Sequence, residues 1–377
     1  MAFESSASDL VRRDRNRLSD VFLRDMLTNR TRRVSSDQGG GDANGSSFDA
    51  AMTPDGAFVA FDSAASDLVP GDVNGRTDVF IRNTATGSLE RVSLDSGGSD
   101  PNGDSYNPSL SADGRFVAFW STASDLVPND HNHVWDVFVR DRLLGLNRRV
   151  SVSMTGGDPD LDSEFPSITA DGRYVAFGSA ATDLVPGDLN GNFDIFVFDT
   201  VAGTTVRASV DLGGGDGNGS SEASAISADG RYVAFYSSST DLVPDDGNYL
   251  LDVFRRDLTT GTTARVSVDS AGVDSNGSSF DPSITADGRS VAFRSFATDL
   301  VPDDTNGAQD VFVRDMDAGT TTRVSVDTAG GDANDFSYAY AGAISNTGDH
   351  VAFWSFASDL VGDDTNGLSD VFLRRMS

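Results

Sequence analysis

The chain has 377 residues, with 58 Asp and Glu against 28 Lys and Arg, a formal charge of −30 and no cysteine. A surface this negative repels nucleic acid and anionic membranes, and the lack of cysteine removes disulfides, thiolate metal sites and thiol nucleophiles together. No apolar run reaches the roughly 18 residues that a membrane span requires, and Met1-Ala2-Phe3 opens directly into repeat sequence with no signal-peptide pattern, as in a mature or excised piece of a longer protein.

Periodicity organises everything else. The Asp of an Asp-Val/Ile-Phe tripeptide falls at 20, 78, 136, 194, 252, 310 and 370, at five intervals of 58 and one of 60. The Arg of an Arg-Val-Ser-like segment falls at 33, 91, 149, 207, 265 and 323, again 58 apart. An Asp-Gly pair marks 55, 113, 171, 229 and 287, with Thr347-Gly348 in the last copy; the two extra residues lie around Tyr338-Ala339-Tyr340. One unit holds four short apolar or β-branched runs, Asn107–Ser111, Arg115–Ser121, Asp136–Arg140 and Arg149–Val152, separated by turn residues. Four such runs per unit describe a propeller blade. Asp-Gly between the first two runs predicts a type I′ hairpin, and Gly261 serves the third and fourth. The expected fold is therefore all-β, a single β-propeller domain over 1–377. The second and third runs occur seven times, the first and fourth six times. Seven blades are expected, the first lacking its inner strand and the last its outer one. Six blades, with the Arg33-Val34-Ser35 strand completing the last blade by overlap, is the alternative.

The segment Ser111-Ala-Asp-Gly-Arg-Phe-Val-Ala-Phe resembles the Ser-Pro-Asp-Gly-x-x-Ile-Ala-Phe core of TolB-like, WD40-like (PD40) propeller repeats, and the likeness covers essentially the whole chain. The resemblance implies the fold. It says little of function, because such propellers include binding partners, enzyme appendages and some lyases and hydrolases.

A long polar loop follows the second run of each unit, typified by Asp67-Leu-Val-Pro-Gly-Asp72-Val-Asn74-Gly75-Arg-Thr-Asp78. Hard cations take several oxygens in a small sphere, and Asp or Asn at i, i+2 and i+6 around a Gly supplies them. The pattern looks like a shortened EF-hand loop of calcium-binding propeller blades. The expected ligands are Asp72, Asn74, the Arg76 carbonyl and Asp78, with Asp67 closing the loop. The set recurs as Asp130, Asn132 and Asp136; as Asp188, Asn190 and Asp194; as Asp246, Asn248 and Asp252; as Asp304, Asn306 and Asp310; and as Asp364, Asn366 and Asp370. Asp14, Asn16 and Asp20 keep it too, but Arg12, Arg13, Arg15 and Arg17 predict a weak or empty site there. His133 and Tyr249 replace the glycine in two loops, which are accordingly poorer candidates. Several bound calcium ions are the expectation; the alternative is turn chemistry without metal, which Asp and Asn side chains also perform. A second loop carries Asp42, Asp100, Asp158, Asp216, Asp274 and Asp332 without a closing acid, and reads as a turn. In a four-stranded meander both loops leave on the same face.

The copies align with one another, so positions that vary within the fixed frame are released from packing. One follows Val-Ala-Phe: Glu4, Asp62, Trp120, Gly178, Tyr236, Arg294 and Trp354. Another is the pair opening the first run, Phe48/Asp49, Tyr106/Asn107, Glu164/Phe165, Glu222/Ala223 and Phe280/Asp281, with Tyr338 and Tyr340 in the inserted copy. Trp120, Tyr236, Trp354, Tyr106 and Tyr338 are the candidate ligand-binding residues, because amphipathic aromatics grip sugar rings or peptides. Catalysis finds little support: His131, His133 and His350 join no Ser-His-Asp set, and neither a Gly-x-Ser-x-Gly elbow nor a His-Glu-x-x-His motif occurs. The leading reading is an extracellular or periplasmic calcium-stabilised module that binds protein or polysaccharide on its loop-rich face. A lyase or hydrolase acting on sugars at the channel mouth, and an array subunit pairing through incomplete terminal blades, are the alternatives.

Overall fold

The computed structural model describes residues 1–339 and 342–376 and is all-β, a seven-bladed β-propeller. Among the described residues no helix is long and apolar enough to cross a membrane. Blade two is typical: Ser47–Met52, Phe58–Ser63, Asp78–Asn83 and Leu89–Arg91 form an antiparallel meander in that order. Blade one has three strands, Ala2–Ser5, Asp20–Asp25 and Arg30–Arg33, and blade seven has Ser337–Tyr338, His350–Ser355 and Asp370–Arg375. Among the described residues blades one and seven thus have three strands each, as the count of runs predicts. Arg33 pairs with Phe22 of its own blade, so that strand does not complete the last one.

Two compact units carry the blades: Met1–Pro186 with Phe198–Thr205, and Gly187–Val197 with Val206–Ser377. In each, the core is the Val-Ala-Phe run of the second strand facing the Val-Phe run of the third. Phe61 stacks on Phe80 at 5.9 Å in the first unit, and Phe293 on Phe312 at 5.9 Å in the second. Neighbouring blades share these cores: Val79 and Ile81 of blade two pack with Val117 and Phe119 of blade three.

The first hairpin departs from the type I′ expectation. Only the glycine of Asp113-Gly114 has positive φ, 67°. Asp113 stays right-handed because its Oδ1 accepts from Ser111 Oγ at 2.7 Å and from the Arg115 N–H at 2.9 Å, an Asx-type hold that a left-handed Asp would break. Gly114 has a second constraint, since a Cβ there would lie 2.7 Å from the Phe58 ring of the preceding blade.

A feature with no sequence signal recurs in the inner strand. Asp49, Asn107, Phe165, Ala223 and Asp281 have φ between 48° and 53°, and the pairing register shifts at each. These are β-bulges, which re-aim side chains and terminate local pairing. Asp and Asn tolerate left-handed φ; Phe165 and Ala223 adopt it against their preference.

Candidate functional site

The polar loops come together as expected, around a group the metal reading left out. In blade three the Arg149 guanidinium places Nη1 3.2 Å from Asp130 and 3.3 Å from Asp136, and Nη2 2.6 Å from Asp158 of the second loop. Ser151 Oγ donates to Asp136 at 2.5 Å and accepts the Val137 N–H at 2.9 Å. Asn132 bonds the Pro159 carbonyl through Nδ2, and its Oδ1 accepts the Val134 N–H. Arg33, Arg91, Arg207, Arg265 and Arg323 hold the corresponding aspartates in the other blades. The two loops interlock as the meander requires: the Asn44 N–H bonds Asp67 Oδ1 at 3.1 Å, and the Val73 N–H bonds Asp100 at 2.9 Å.

Calcium can be tested against this geometry. The expected aspartate ligands are assembled: Asp72 with Asp78, Asp130 with Asp136, Asp188 with Asp194, Asp246 with Asp252, and Asp304 with Asp310 each share one arginine. Asp188, Asp194 and Asp216 bring carboxylate oxygens within 4.8 Å of one another. Yet the guanidinium is the cation among those oxygens.

The asparagines of the first six loops make hydrogen bonds that hold the two loops together. Asn190 donates to the Gly217 carbonyl at 3.0 Å, and its Oδ1 accepts the Asn192 N–H at 2.8 Å. Asn248 donates to the Ser275 carbonyl at 3.2 Å and accepts the Leu250 N–H at 2.9 Å. Asn306 donates to the Ala333 carbonyl at 3.0 Å and accepts the Ala308 N–H at 2.8 Å. Asn74 does the same with the Pro101 carbonyl and the Arg76 N–H, and Asn16 with the Ala43 carbonyl and the Leu18 N–H. Asn16, Asn74, Asn132, Asn190, Asn248 and Asn306 thus each make a turn bond and a bridging bond, which Asn side chains do well.

The residues of these six loops do not fit a calcium ion while the arginine is in place. The first loop is no exception: buried Asp14 pairs with Arg33 at 3.4 Å, while Arg12, Arg13, Arg15 and Arg17 are exposed. His133 and Tyr249 reproduce the glycine's backbone, with φ of 58° each against 64° at Gly75. In blade seven Asp364, Asn366 and Asp370 meet no arginine among the described residues.

Burial governs the electrostatics of these clusters. It pushes Asp136 up to about 7 and Asp194 to about 6, and burial followed by repulsion from the adjacent Asp pushes Asp72, Asp246 and Asp304 to about 6. One guanidinium among three carboxylates leaves each cluster short of positive charge.

The variable positions form a different kind of site. Cross-strand pairing brings Tyr106 to Trp120, Glu222 to Tyr236 and Tyr338 to Trp354. In the first two cases the position after Val-Ala-Phe meets the residue just before a bulge, and also reaches the next blade. In the first unit Asp62 accepts the Asn107 N–H at 3.2 Å, and Trp120 contacts Trp135 at 4.3 Å and Phe165 at 5.7 Å. Asp62, buried beside Asp49, is pushed up to about 8 by burial and then by the Asp49 charge; burial and Asp49 also raise Glu4. In the second unit Tyr236 donates to Glu222 at 2.7 Å and meets Phe280 at 5.8 Å. Arg294 bonds Asp281 at 2.6 Å and Gln309 Oε1 at 3.1 Å, and its guanidinium lies over Phe280 and Tyr338. Tyr338 stacks on Trp354 at 4.1 Å, and Phe296, Phe336 and Phe356 extend the aromatic set outward, 44%, 39% and 46% exposed. Gln309 is fully buried, and its Nε2 donor has no partner among the described residues. Tyr340 lies outside the described residues.

Sequence reasoning placed the aromatics and Arg294 at one variable position but missed Gln309, Trp135 and Phe296 as their companions. Trp135 and Gln309 share one repeat position, just before the Asp-Val-Phe strand, where the copies also differ; applying the same test of variation there would have found them.

No family model and no curated protein matches the sequence. Solved structures do. TolB from Acinetobacter baumannii superposes with a TM-score of 0.46 at 19% identity, over 81% of this chain and 59% of that one, so this chain spans well under two thirds of its length. A structure described as TolB from Agrobacterium tumefaciens gives 0.50 at 18% identity, over 94% and 96%. Oligogalacturonate lyase from Vibrio parahaemolyticus gives 0.56 at 12% identity, over 95% and 83%. What this chain shares with these structures is the β-propeller fold.

Proposed function

We propose that the protein is a non-catalytic binding module whose ligand, a protein or a polysaccharide, lies along the inner strands of the second unit. The observation that supports this reading most is the partly exposed row Phe296, Phe336, Trp354 and Phe356, with Arg294 and the Gln309 amide, whose Nε2 has no acceptor among the described residues, at its base. Exposed apolar patches of this kind mark binding sites, and a buried amide donor without an acceptor favours a ligand that brings a carbonyl or hydroxyl oxygen. The bulges at Ala223 and Asp281 sit beside these side chains, so backbone strain is spent at the row and not in the polar loops' neighbourhood alone. Periplasmic or extracellular placement accords with the TolB likeness in fold.

A glycan array and a peptide library, each run with the wild-type protein and with Trp354→Ala and Phe336→Ala, test this reading. Binding lost at least ten-fold in both variants, with melting temperatures within a few degrees of wild type, is the expected result; binding that survives both removes the row from the site.

A second reading has one specific support. Asp62, Asp49 and Glu4 place a carboxylic acid that keeps its proton near neutrality beside other carboxylates, the arrangement a general acid needs. Unsaturated or reducing-sugar products from a panel of polyuronates, abolished by Asp62→Asn, would favour an enzyme.

A further inference from the structure

Two inner edges of the propeller are built from the same residues with one exchanged. Blade six opens its inner strand, Ser279–Ile284, with Phe280-Asp281, and Phe280 pairs across with Arg294 of Ser290–Ser295. Blade two opens Ser47–Met52 with Phe48-Asp49, and Phe48 pairs across with Asp62 of Phe58–Ser63. The backbones match as well, since Asp49 and Asp281 are both bulge residues, with φ of 52° and 48°. One repeat further on, Tyr106 and Trp120 in the first unit correspond to Tyr338 and Trp354 in the second, and each pair is in ring contact, at 5.2 and 4.1 Å.

In blade six the exchanged residue meets both the charge and the rings. The Arg294 guanidinium bonds Asp281 at 2.6 Å, lies 4.9 Å from the Phe280 ring centre and 5.6 Å from that of Tyr338 in the next blade. One planar cation thus serves a carboxylate and two ring faces. Asp62 in the same position does the opposite. It hydrogen-bonds the Asp49 side chain, and the charges acting on it, those of Asp49 and Glu4, are negative. Among the described residues no ion pair of the Arg294–Asp281 kind reaches Glu4, Asp49 or Asp62. Phe48 is 44% exposed and Asp49 is exposed too, where Phe280 and Asp281 are partly buried.

We propose that the inner edge of blade two binds a guanidinium group supplied from outside the chain, which takes between Phe48 and Tyr106 the place that Arg294 takes between Phe280 and Tyr338. Its N–H donors would meet Asp49 as those of Arg294 meet Asp281, and Asp62 adds a second carboxylate where blade six has a cation. An ammonium ion matches the charge but lacks the flat face that stacks on the rings and the fork that bonds two carboxylate oxygens at once. The site uses none of the residues of the aromatic row in the second unit, and binding requires no reaction at Asp62.

The probes are N-acetyl-arginine amide, free arginine and N-acetyl-lysine amide, titrated into the full chain and read by ligand-detected NMR. Saturable binding of an arginine probe is expected, about five-fold or more tighter than that of the lysine probe, and weakened about five-fold or more by Asp49→Asn or Phe48→Ala, each the loss of one contact of the kind Arg294 makes. Asp62→Arg, which copies blade six, should fill the site from within and abolish binding. Preference for the capped amide over free arginine assigns the site to an arginine side chain of a polypeptide, and the reverse preference to a free guanidino compound. No saturation up to about 10 mM probe, arginine and lysine probes binding alike, or binding unchanged in both Asp49→Asn and Phe48→Ala overturns the proposal; the last two results would be plain attraction to a chain of charge −30. Phe48 and Asp49 are exposed, so the test stands even if Asp62→Arg, at a buried position, fails to fold.

Discussion

At the outer edge of blade three, Asp136, Arg149 and Ser151 have counterparts of the same kind in five other blades, whereas Trp120 at the inner edge corresponds to Asp62, Tyr236 and Arg294. Both regions are polar or amphipathic, partly buried and rich in side-chain contacts. They differ in whether the contacts are copied. A cluster repeated six times does the same work six times, and the work available to a buried guanidinium among aspartates is to fix loops and strand order. The inner row has no two neighbouring positions alike, which is what recognition of an asymmetric ligand requires.

The comparison breaks most readily at Arg149. Its side chain is 7% exposed and faces Asp130, Asp136 and Asp158. Arg149→Met keeps much of the volume and leaves three carboxylates uncompensated, a change that costs about 3–5 kcal/mol for a broken buried pair. Urea unfolding should show that loss, while Trp354→Ala, at a partly exposed position, should move the midpoint less. A loss under ~1 kcal/mol for Arg149→Met would mean that the loops are held by their turns and that the ion clusters are incidental.

Acidity acts on the two regions through the same carboxyls. Asp72, Asp194, Asp246 and Asp304 sit near 6, Asp136 near 7 and Asp62 near 8, all above the value of about 3.9 in an unfolded chain. Over that interval the folded protein holds protons that the unfolded chain has released, so stability falls as pH rises through about 6 to 8. The carboxyls held low by arginine and backbone donors, such as Asp257 near 2, lose their contribution only below about pH 4. The melting temperature should therefore be several degrees higher at pH 5 than at pH 7.5. A steady rise from pH 5 to 7.5 would show that the aspartates are ionised and fully compensated in the folded state.

The blade count, the four-strand unit and the incomplete terminal blades were legible because period-2 apolar runs and a fixed repeat report directly on strands. The loop chemistry was only half legible. Spacing within Asp72–Asp78 suggested a cation, and the cation that fills it, Arg91, stands 13 residues beyond Asp78 on another strand. Its signal was present, since an arginine that keeps step with the aspartates through six copies demands a charged partner. Asn190, Asn248 and Asn306 keep the same step for a different reason, since each ties its own turn to the carbonyl of the second loop. Spacing alone does not separate an amide that ligates from one that bridges. The bulges could not be read at all: Phe165 and Ala223 carry no preference for the left-handed conformation that the sheet imposes on them.

Smaller effects sharpen the account of the loops. His133 holds the left-handed turn that glycine holds in blades two, four and six, with φ of 58°. A side chain in that region costs about 1–2 kcal/mol, so His133→Gly should stabilise blade three by roughly 1 kcal/mol once the greater flexibility of glycine in the unfolded chain is subtracted. Destabilisation would show that the imidazole makes a compensating contact in the loop.

Calcium is where the smallest effect is expected. An ion bound only by the folded state adds about 2.7 kcal/mol per site at 100-fold saturation, so even two occupied loops would raise the melting temperature by many degrees. Binding in blades one to six has to displace a guanidinium that already contacts each carboxylate, exposing it or burying it unpaired, and either course consumes most of that gain. Among the described residues only the blade-seven loop is clear of arginine, and there Asp364 and Asp370 are partly exposed and supply few oxygens for an ion that wants six to eight. Melting curves in millimolar calcium and in excess EDTA should therefore coincide within about two degrees, and elemental analysis of the purified protein should find less than one ion per chain. A large calcium-dependent rise, abolished by the same Asp136→Asn substitution that removes the ion, would mean that arginine and metal exchange places among these oxygens, and that the loop spacing reports a cation site after all.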